Sequence, residues 1–198
     1  FISLSNNNTT RLFTSDKSVK VVLRSDFDGN KQVALISGGG SGHEPSHAGF
    51  VGNGMLSGAV CGEIFASPPT KAIVNAIRAI GGSKGVLLIV KNYTGDVLCF
   101  TLAASIAKEK YGINTEIIII GDDCAIGRDK SGRVGRRGVA GTVFVHKIAG
   151  YLSENGYSLN DIKTYLTKNI IPNLGSIGLA ATSCYLPGSG MVKDERIK

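Results

Sequence analysis

The sequence predicts an α/β fold with a mostly parallel sheet flanked by helices. Three short apolar runs carry that expectation, at Val33–Ile36, 86–90 and 116–120, each followed by a turn containing glycine. Continuous apolar runs of this length belong to strands covered on both faces, as in parallel sheets. Stretches with apolar residues at helical spacing separate the three runs and follow the last, and alternating strand and helix gives this class, with right-handed crossovers.

In chain order, strand 33–36 leads into a glycine turn at 37–42, and residues 58–67 form a short apolar piece ending in polar residues. A helix is predicted over 68–80, where Pro68 and Pro69 suit a first turn. Strand 86–90 runs into the turn 92–95 and a helix over 97–111, and strand 116–120 into the turn 121–123. Residues 142–155 predict an amphipathic helix with Val145, Ile148, Ala149 and Leu152 on one face and Gly156 as its stop. Ser158 is placed to cap a further helix from Leu159 to about Ile170, with Asp161 at the capping-box position and Pro172 beyond. Residues 177–184 read as another strand, and the charged stretch 193–198 closes on no element.

Length and composition bound the function. At 198 residues, 42% hydrophobic and 19% charged, the chain is about one domain with a real core, not a disordered segment. The 27 glycines show no collagen period and point to tight turns or close backbone approach to a ligand. Tryptophan is absent and aromatics are 7%, which argues against a base-stacking nucleic-acid binder. No apolar run approaches the roughly 18 residues of a membrane helix, and Phe1–Leu4 leads into Asn6–Asn8 without the basic start of a signal peptide. The absence of an initiator Met reads as an excerpt of a longer chain. Cys61, Cys99, Cys124 and Cys184 form no C-x-x-C pair, so reduced thiols and a cytoplasmic location are expected. The net charge of +7 gathers partly in one loop, where Arg128, Lys130, Arg133, Arg136 and Arg137 face a single Asp129. One basic loop fits a phosphate or an acidic partner better than a nucleic-acid surface.

The most informative segment is Ser37-Gly38-Gly39-Gly40-Ser41-Gly42-His43-Glu44-Pro45, directly after the first predicted strand. Open α/β sheets bind ligands at the carboxyl ends of strands. Consecutive glycines let the backbone approach a small polar molecule and offer N–H groups. No Lys follows Gly42, so this is no Walker loop, and neither this run nor Gly52–Gly58 spells the Rossmann G-x-G-x-x-G. His43-Glu44-Pro45-Ser46-His47 matches the zinc-protease pattern H-E-x-x-H in letters, but that chemistry needs both histidines on one helix face. Pro45 disfavours helical geometry at Glu44. His47 reads as a packed or hydrogen-bonded histidine. The second segment is Lys91-Asn92-Tyr93-Thr94-Gly95-Asp96, just past the second run. If these two strands are neighbours, His43 and Asp96 bracket one substrate, and an imidazole beside a carboxylate can move a hydroxyl proton near neutral pH. Lys91 would hydrogen-bond a substrate oxygen. The plainer reading makes Asp96 a helix N-cap and Lys91 a surface charge. Ser67 reads as lining the site or capping the helix before Pro68, and the cap fits better. Arg136 and Arg137 read either as a solvated charged loop or as a docking point.

These segments, together with Gly54–Ala59, Gly62-Glu63-Ile64-Phe65 and Gly135-Arg136-Arg137-Gly138, resemble the substrate-binding K domain of dihydroxyacetone kinases, in order and through nearly the whole chain. The resemblance implies that Gly39, Gly40, Ser41, Gly42, His43, Lys91 and Asp96 hold dihydroxyacetone, with His43 and Asp96 as acid/base groups at the reacting hydroxyl. It implies a covalent hemiaminal between the ketose carbonyl and a histidine of a second half of the domain, after Lys198. His146 falls within a predicted helix and is not taken for that role. Residues 1–198 then read as the first half of a K domain. ATP and Mg²⁺ are expected on a separate helical L domain or subunit, which the loop with Arg133, Arg136 and Arg137 would meet. Family resemblance further implies a homodimer and leaves a non-catalytic ketose sensor as the alternative function.

Overall fold

A computed structural model of the chain describes residues 10–16, 19–127, 132, 134–180, 184–185 and 188. Its strands are β1 (Thr10–Asp16), β2 (Val19–Arg24), β3 (Ala34–Ser41), β4 (Gly58–Ile64), β5 (Val86–Lys91) and β6 (Thr115–Ile120). Its α-helices are α1 (Thr70–Ile80), α2 (Thr94–Tyr111), α3 (Thr142–Glu154) and α4 (Leu159–Tyr165). The six strands form one sheet in the order β1-β2-β4-β3-β5-β6. β4–β3, β3–β5 and β5–β6 pair parallel, whereas β2 runs antiparallel to both β1 and β4. The predicted class, mostly parallel with flanking helices, is the observed one.

Alternation along the strands builds two cores. Ala34, Ile36, Val86, Leu88 and Val90 pack with Ile73 and Ile77 of α1 and Phe100 and Ala103 of α2. The intervening Leu35, Leu87 and Ile89, with Val33, pack on the other face with Val145 and Ala149 of α3 and Ile162 of α4. All of these are nearly or fully buried, which is why the runs read as continuously apolar. α2 ends on Gly112, whose φ of 65° supplies the left-handed turn that closes a helix. Ser158 caps α4 as expected, its hydroxyl accepting from the Asp161 N–H.

Several boundaries differ from the expectation. β3 does not stop at Ile36 but runs on through the glycines, because Gly38 and Gly39 pair with Val60 and Cys61 of β4. α2 starts three residues early, so its N-cap is Tyr93 and Asp96 sits inside the first turn. The last predicted helix breaks into α4, a π turn at Leu166–Ile170 and a 3-10 turn at Ile171–Asn173. No strand forms at 177–180; Ser176 instead makes an isolated parallel bridge to Asp123, and residues 181–183 lie outside the described residues. β1 and β2, with no counterpart in the sequence reading, add the antiparallel edge.

Topology places the site. The chain leaves β3 for β4 on one side, then crosses through α1 to β5 on the other side of β3. The carboxyl ends of β3 and β5 flank the resulting crevice, the position where such sheets bind ligands.

Candidate functional site

A cavity of about 420 Å³ opens there, within the usual range for small-molecule sites. β3 and the loop after it supply Gly39, Gly40 and His43; the turn after β4 supplies Phe65 and Ser67; β5 and the start of α2 supply Lys91, Tyr93 and Asp96. Five of the seven residues expected to hold substrate therefore line one cavity. The other two do not. The Ser41 hydroxyl turns away and donates to the Gly62 carbonyl at 2.7 Å. Gly42 takes a φ of 105° with its N–H donating to the Glu44 carboxylate, and a Cβ there would strike the Phe65 ring at 2.5 Å. Both shape the loop rather than face the cavity.

Asp96 is 6% exposed and sits in the first turn of α2, where the helix dipole favours a carboxylate. Burial nevertheless raises its pKa above the ordinary carboxylate value, against the lowering effects of the Ser67 hydroxyl, Lys91 and His43. Its Oδ1 has no partner among the described residues. Asp96 is thus not the N-cap that the plain reading made it: it lines the cavity, with Oδ2 toward Gly39. Ser67 likewise does not cap α1, whose N-cap is Pro69, but hydrogen-bonds Asp96 and lines the cavity. Lys91 is half-buried; burial lowers its pKa, while Asp122 and Asp96 pull it back toward the charged form. His43 is exposed at the mouth, its ring 5.6 Å from that of Phe65. Phe65 carries the positive φ of 56° that few non-glycine residues adopt, a local strain of the kind that gathers at binding sites.

The helix that a zinc-protease pattern needs is not formed. Residues 44–47 form a turn, His43 is exposed and His47 is buried. Among the described residues no group of three or more His, Cys, Asp or Glu is placed to hold a metal ion.

Asp122 is a residue the sequence reading missed. Its carboxylate accepts from the Val139 and Gly141 N–H groups, each at 2.7 Å, and from the Ser176 hydroxyl. This draws residues 138–141 across the carboxyl end of β6, and a Cβ on Gly138 would lie 2.8 Å from that of Lys91. Asn92 ties the same segment down, donating to the Val134 and Arg136 carbonyls at 2.8 Å. The clue in the sequence was a carboxylate pair directly after a buried strand.

The basic loop is not simply solvated charge. Arg137 Nε donates to Asp123 Oδ2 at 2.6 Å, and Arg136 Nε donates to the Ile126 carbonyl at 3.0 Å. Both guanidinium groups hold their own chain, although Arg137 remains largely exposed; Arg133 lies outside the described residues. Cys61, Cys99, Cys124 and Cys184 are free thiols. No helix among the described residues is long and apolar enough to cross a membrane.

Comparison with known proteins agrees with this fold. Dihydroxyacetone kinase of Citrobacter freundii is 50% identical over 181 residues, 91% of this chain and 31% of that protein. Its crystal structure superposes with a TM-score of 0.86 at 46% identity, covering 93% of this chain and 33% of the other. A further structure of that kinase is a complex with AMP-PNP and Mg²⁺. The dihydroxyacetone-binding subunit DhaK of a PTS-dependent dihydroxyacetone kinase from Listeria innocua is 48% identical over 174 residues, 88% of this chain and 52% of the subunit. The dihydroxyacetone kinase operon co-activator DhaQ matches with a TM-score of 0.72 at 37% identity, over 79% of this chain and 47% of that one. This chain therefore spans about a quarter to a half of the length of the relatives it matches. The Dak1 domain profile matches residues 3–197, and the chain belongs to that family.

Proposed function

We propose that the cavity binds dihydroxyacetone, or a similar short ketose or aldose, and presents its hydroxyl for phosphorylation by a nucleotide held on another domain or subunit. The carrying observation is the single cavity at the ends of β3 and β5 in which Asp96, Lys91 and His43 converge over Gly39 and Gly40. A relative named as a dihydroxyacetone-binding subunit, and a kinase that contains the same unit, support the substrate class.

The residues divide the work. Lys91, as an ammonium, hydrogen-bonds a substrate oxygen. The substrate hydroxyl oxygen attacks the terminal phosphorus, the bond from phosphorus to the nucleoside diphosphate breaks, and the hydroxyl proton passes to Asp96 or His43. Burial makes Asp96 a stronger base than an ordinary carboxylate. Among the described residues Asp96 is the one carboxylate in the lining, so the nucleotide and Mg²⁺ are assigned to the other domain. Catalysis of this kind is mostly positioning and charge stabilisation, and this chain contributes the acceptor's position.

The test is an assay of the full-length protein, with its nucleotide-binding domain or subunit, for phosphate transfer to dihydroxyacetone and to glycerol. Transfer to the ketose and not to glycerol is expected. Tight ketose binding without transfer would favour the co-activator reading, and no ketose binding would overturn both.

A further inference from the structure

His47 stands at the inner wall of the cavity, 4% exposed, and takes no part in the chemistry above. Its two ring nitrogens face different surroundings. Nδ1 is turned into the protein, 3.1 Å from Nε2 of His146 on α3 and 3.3 Å from the Ser37 hydroxyl. Nε2 is turned toward Gly39, where a Cβ would lie 3.9 Å from it and 3.6 Å from Asp96 Oδ2. Gly39 thus leaves a gap with the imidazole nitrogen on one side and the carboxylate oxygen on the other.

Which tautomer fills that wall follows from hydrogen-bond accounting. The Ser37 hydroxyl spends its proton on the Ile89 carbonyl at 2.6 Å, so it has none for His47. His47 and His146 are both buried, and burial holds each below the usual imidazole range, His146 at about 3, so both rings are neutral. If His47 kept its proton on Nδ1 and donated to His146, His146 would hold its own proton on Nδ1. That atom is fully buried and has no partner among the described residues. If instead His146 donates from Nε2 to His47 Nδ1, no N–H is stranded: what is left is the lone pair of His146 Nδ1 and a Ser37 oxygen that stands 3.3 Å from His47 Nδ1 without a proton between them. A buried N–H without a partner is the rarer and costlier defect.

We propose that His47 is a neutral donor whose Nε2–H points into the cavity, held in that tautomer by His146, and that it and Asp96 together form a subsite for a hydroxyl group. A hydroxyl in the gap can donate to the carboxylate and accept from the imidazole at once; a carbonyl could accept from the imidazole but would bring the carboxylate no second donor beside Ser67. His146 touches no substrate and acts only as a positioning residue. The identity of the hydroxyl's owner rests on the ketose reading above; the tautomer does not.

The experiment is long-range ¹H–¹⁵N correlation of the histidine rings in the full-length ¹⁵N-labelled protein, beside titration with dihydroxyacetone. The wild type is expected to show His47 protonated on Nε2 alone. His146→Leu is expected to mix the two tautomers of His47 and weaken ketose binding about tenfold, the worth of one hydrogen bond. His146→Gln, whose amide can still donate, is expected to restore both. His47 protonated on Nδ1 in the wild type overturns the proposal, and this readout stands even if His146→Leu fails to fold. An unchanged His47 spectrum in a folded His146→Leu protein overturns the positioning role. A wild type with the expected tautomer but no affinity for any short ketose keeps the donor assignment and removes only the substrate reading.

Discussion

Gly38 and Gly40 differ from Gly39 in what stands where a side chain would be. A Cβ on Gly38 would lie 2.3 Å from the Val60 carbonyl oxygen, and one on Gly40 would lie 2.7 Å from Ala66 N and 2.8 Å from the Phe65 carbonyl carbon. These obstacles are backbone and cannot swing aside. A Cβ on Gly39 would meet only Asp96 and His47, at ordinary contact distances. The outer two glycines let β4 and the turn after it close on β3, while the middle one leaves room for a ligand. A glycine run at a strand end thus combines two requirements, chain packing and ligand space, which substitution can separate.

The largest effect is expected at the packed positions. Gly38→Ala should destabilise the fold by about 3 kcal/mol, lowering Tm on the order of 10 °C, as read by thermal unfolding. A Tm within a degree of wild type would erase the contrast with Gly39. Next comes Asp96→Asn, which keeps the shape of the gap and removes the base. Phosphorylation should fall about 10²-fold or more with Tm little changed, and a near-normal rate would take Asp96 out of the chemistry. Smaller is Gly39→Ala: stability should hold within about 0.5 kcal/mol, while ketose affinity falls roughly tenfold as the methyl group enters the cavity. Loss of both would make all three glycines structural.

Acid sharpens the same contrast from the histidine wall. His146 has its pKa lowered from 6.5 to about 3 by burial, and that of His47 is lowered in the same direction. Between those values the unfolded chain binds more protons than the folded one, so stability is full above pH 6.5 and lost as pH falls toward 3. Denaturant titrations across that range should show the loss, with a shallower slope in His146→Gln. The smallest effect is expected at the basic loop. Arg137→Gln breaks a pair whose arginine is largely exposed and should cost under about 1 kcal/mol. A marked loss of docking to the nucleotide-binding domain, with ketose binding intact, would support a contact role for that loop.

What could be read from the sequence follows from how each element is buried. β5 and β6 were legible because adjacent residues such as Leu87 and Leu88 enter opposite cores, making an unbroken apolar run. β2 was not, since Lys20 is exposed between buried neighbours and its pairing is antiparallel. The end of β3 was taken for a loop because glycine is a poor strand former, whereas close approach to Val60 requires it there. The roles of His43, Lys91 and Asp96 came from family resemblance more than from spacing. His146 was hidden because its meeting with His47 joins residues 99 positions apart. Ser67 was read as a cap in preference to a lining residue because a serine before two prolines suits a cap as well.

Determining the structure of the full-length protein with bound dihydroxyacetone tests the central claim most directly. The account predicts a ketose hydroxyl over Gly39, at about 2.6–3.2 Å from the Asp96 carboxylate and facing the His47 Nε2. A ketose bound elsewhere, with that gap left to water, would contradict it.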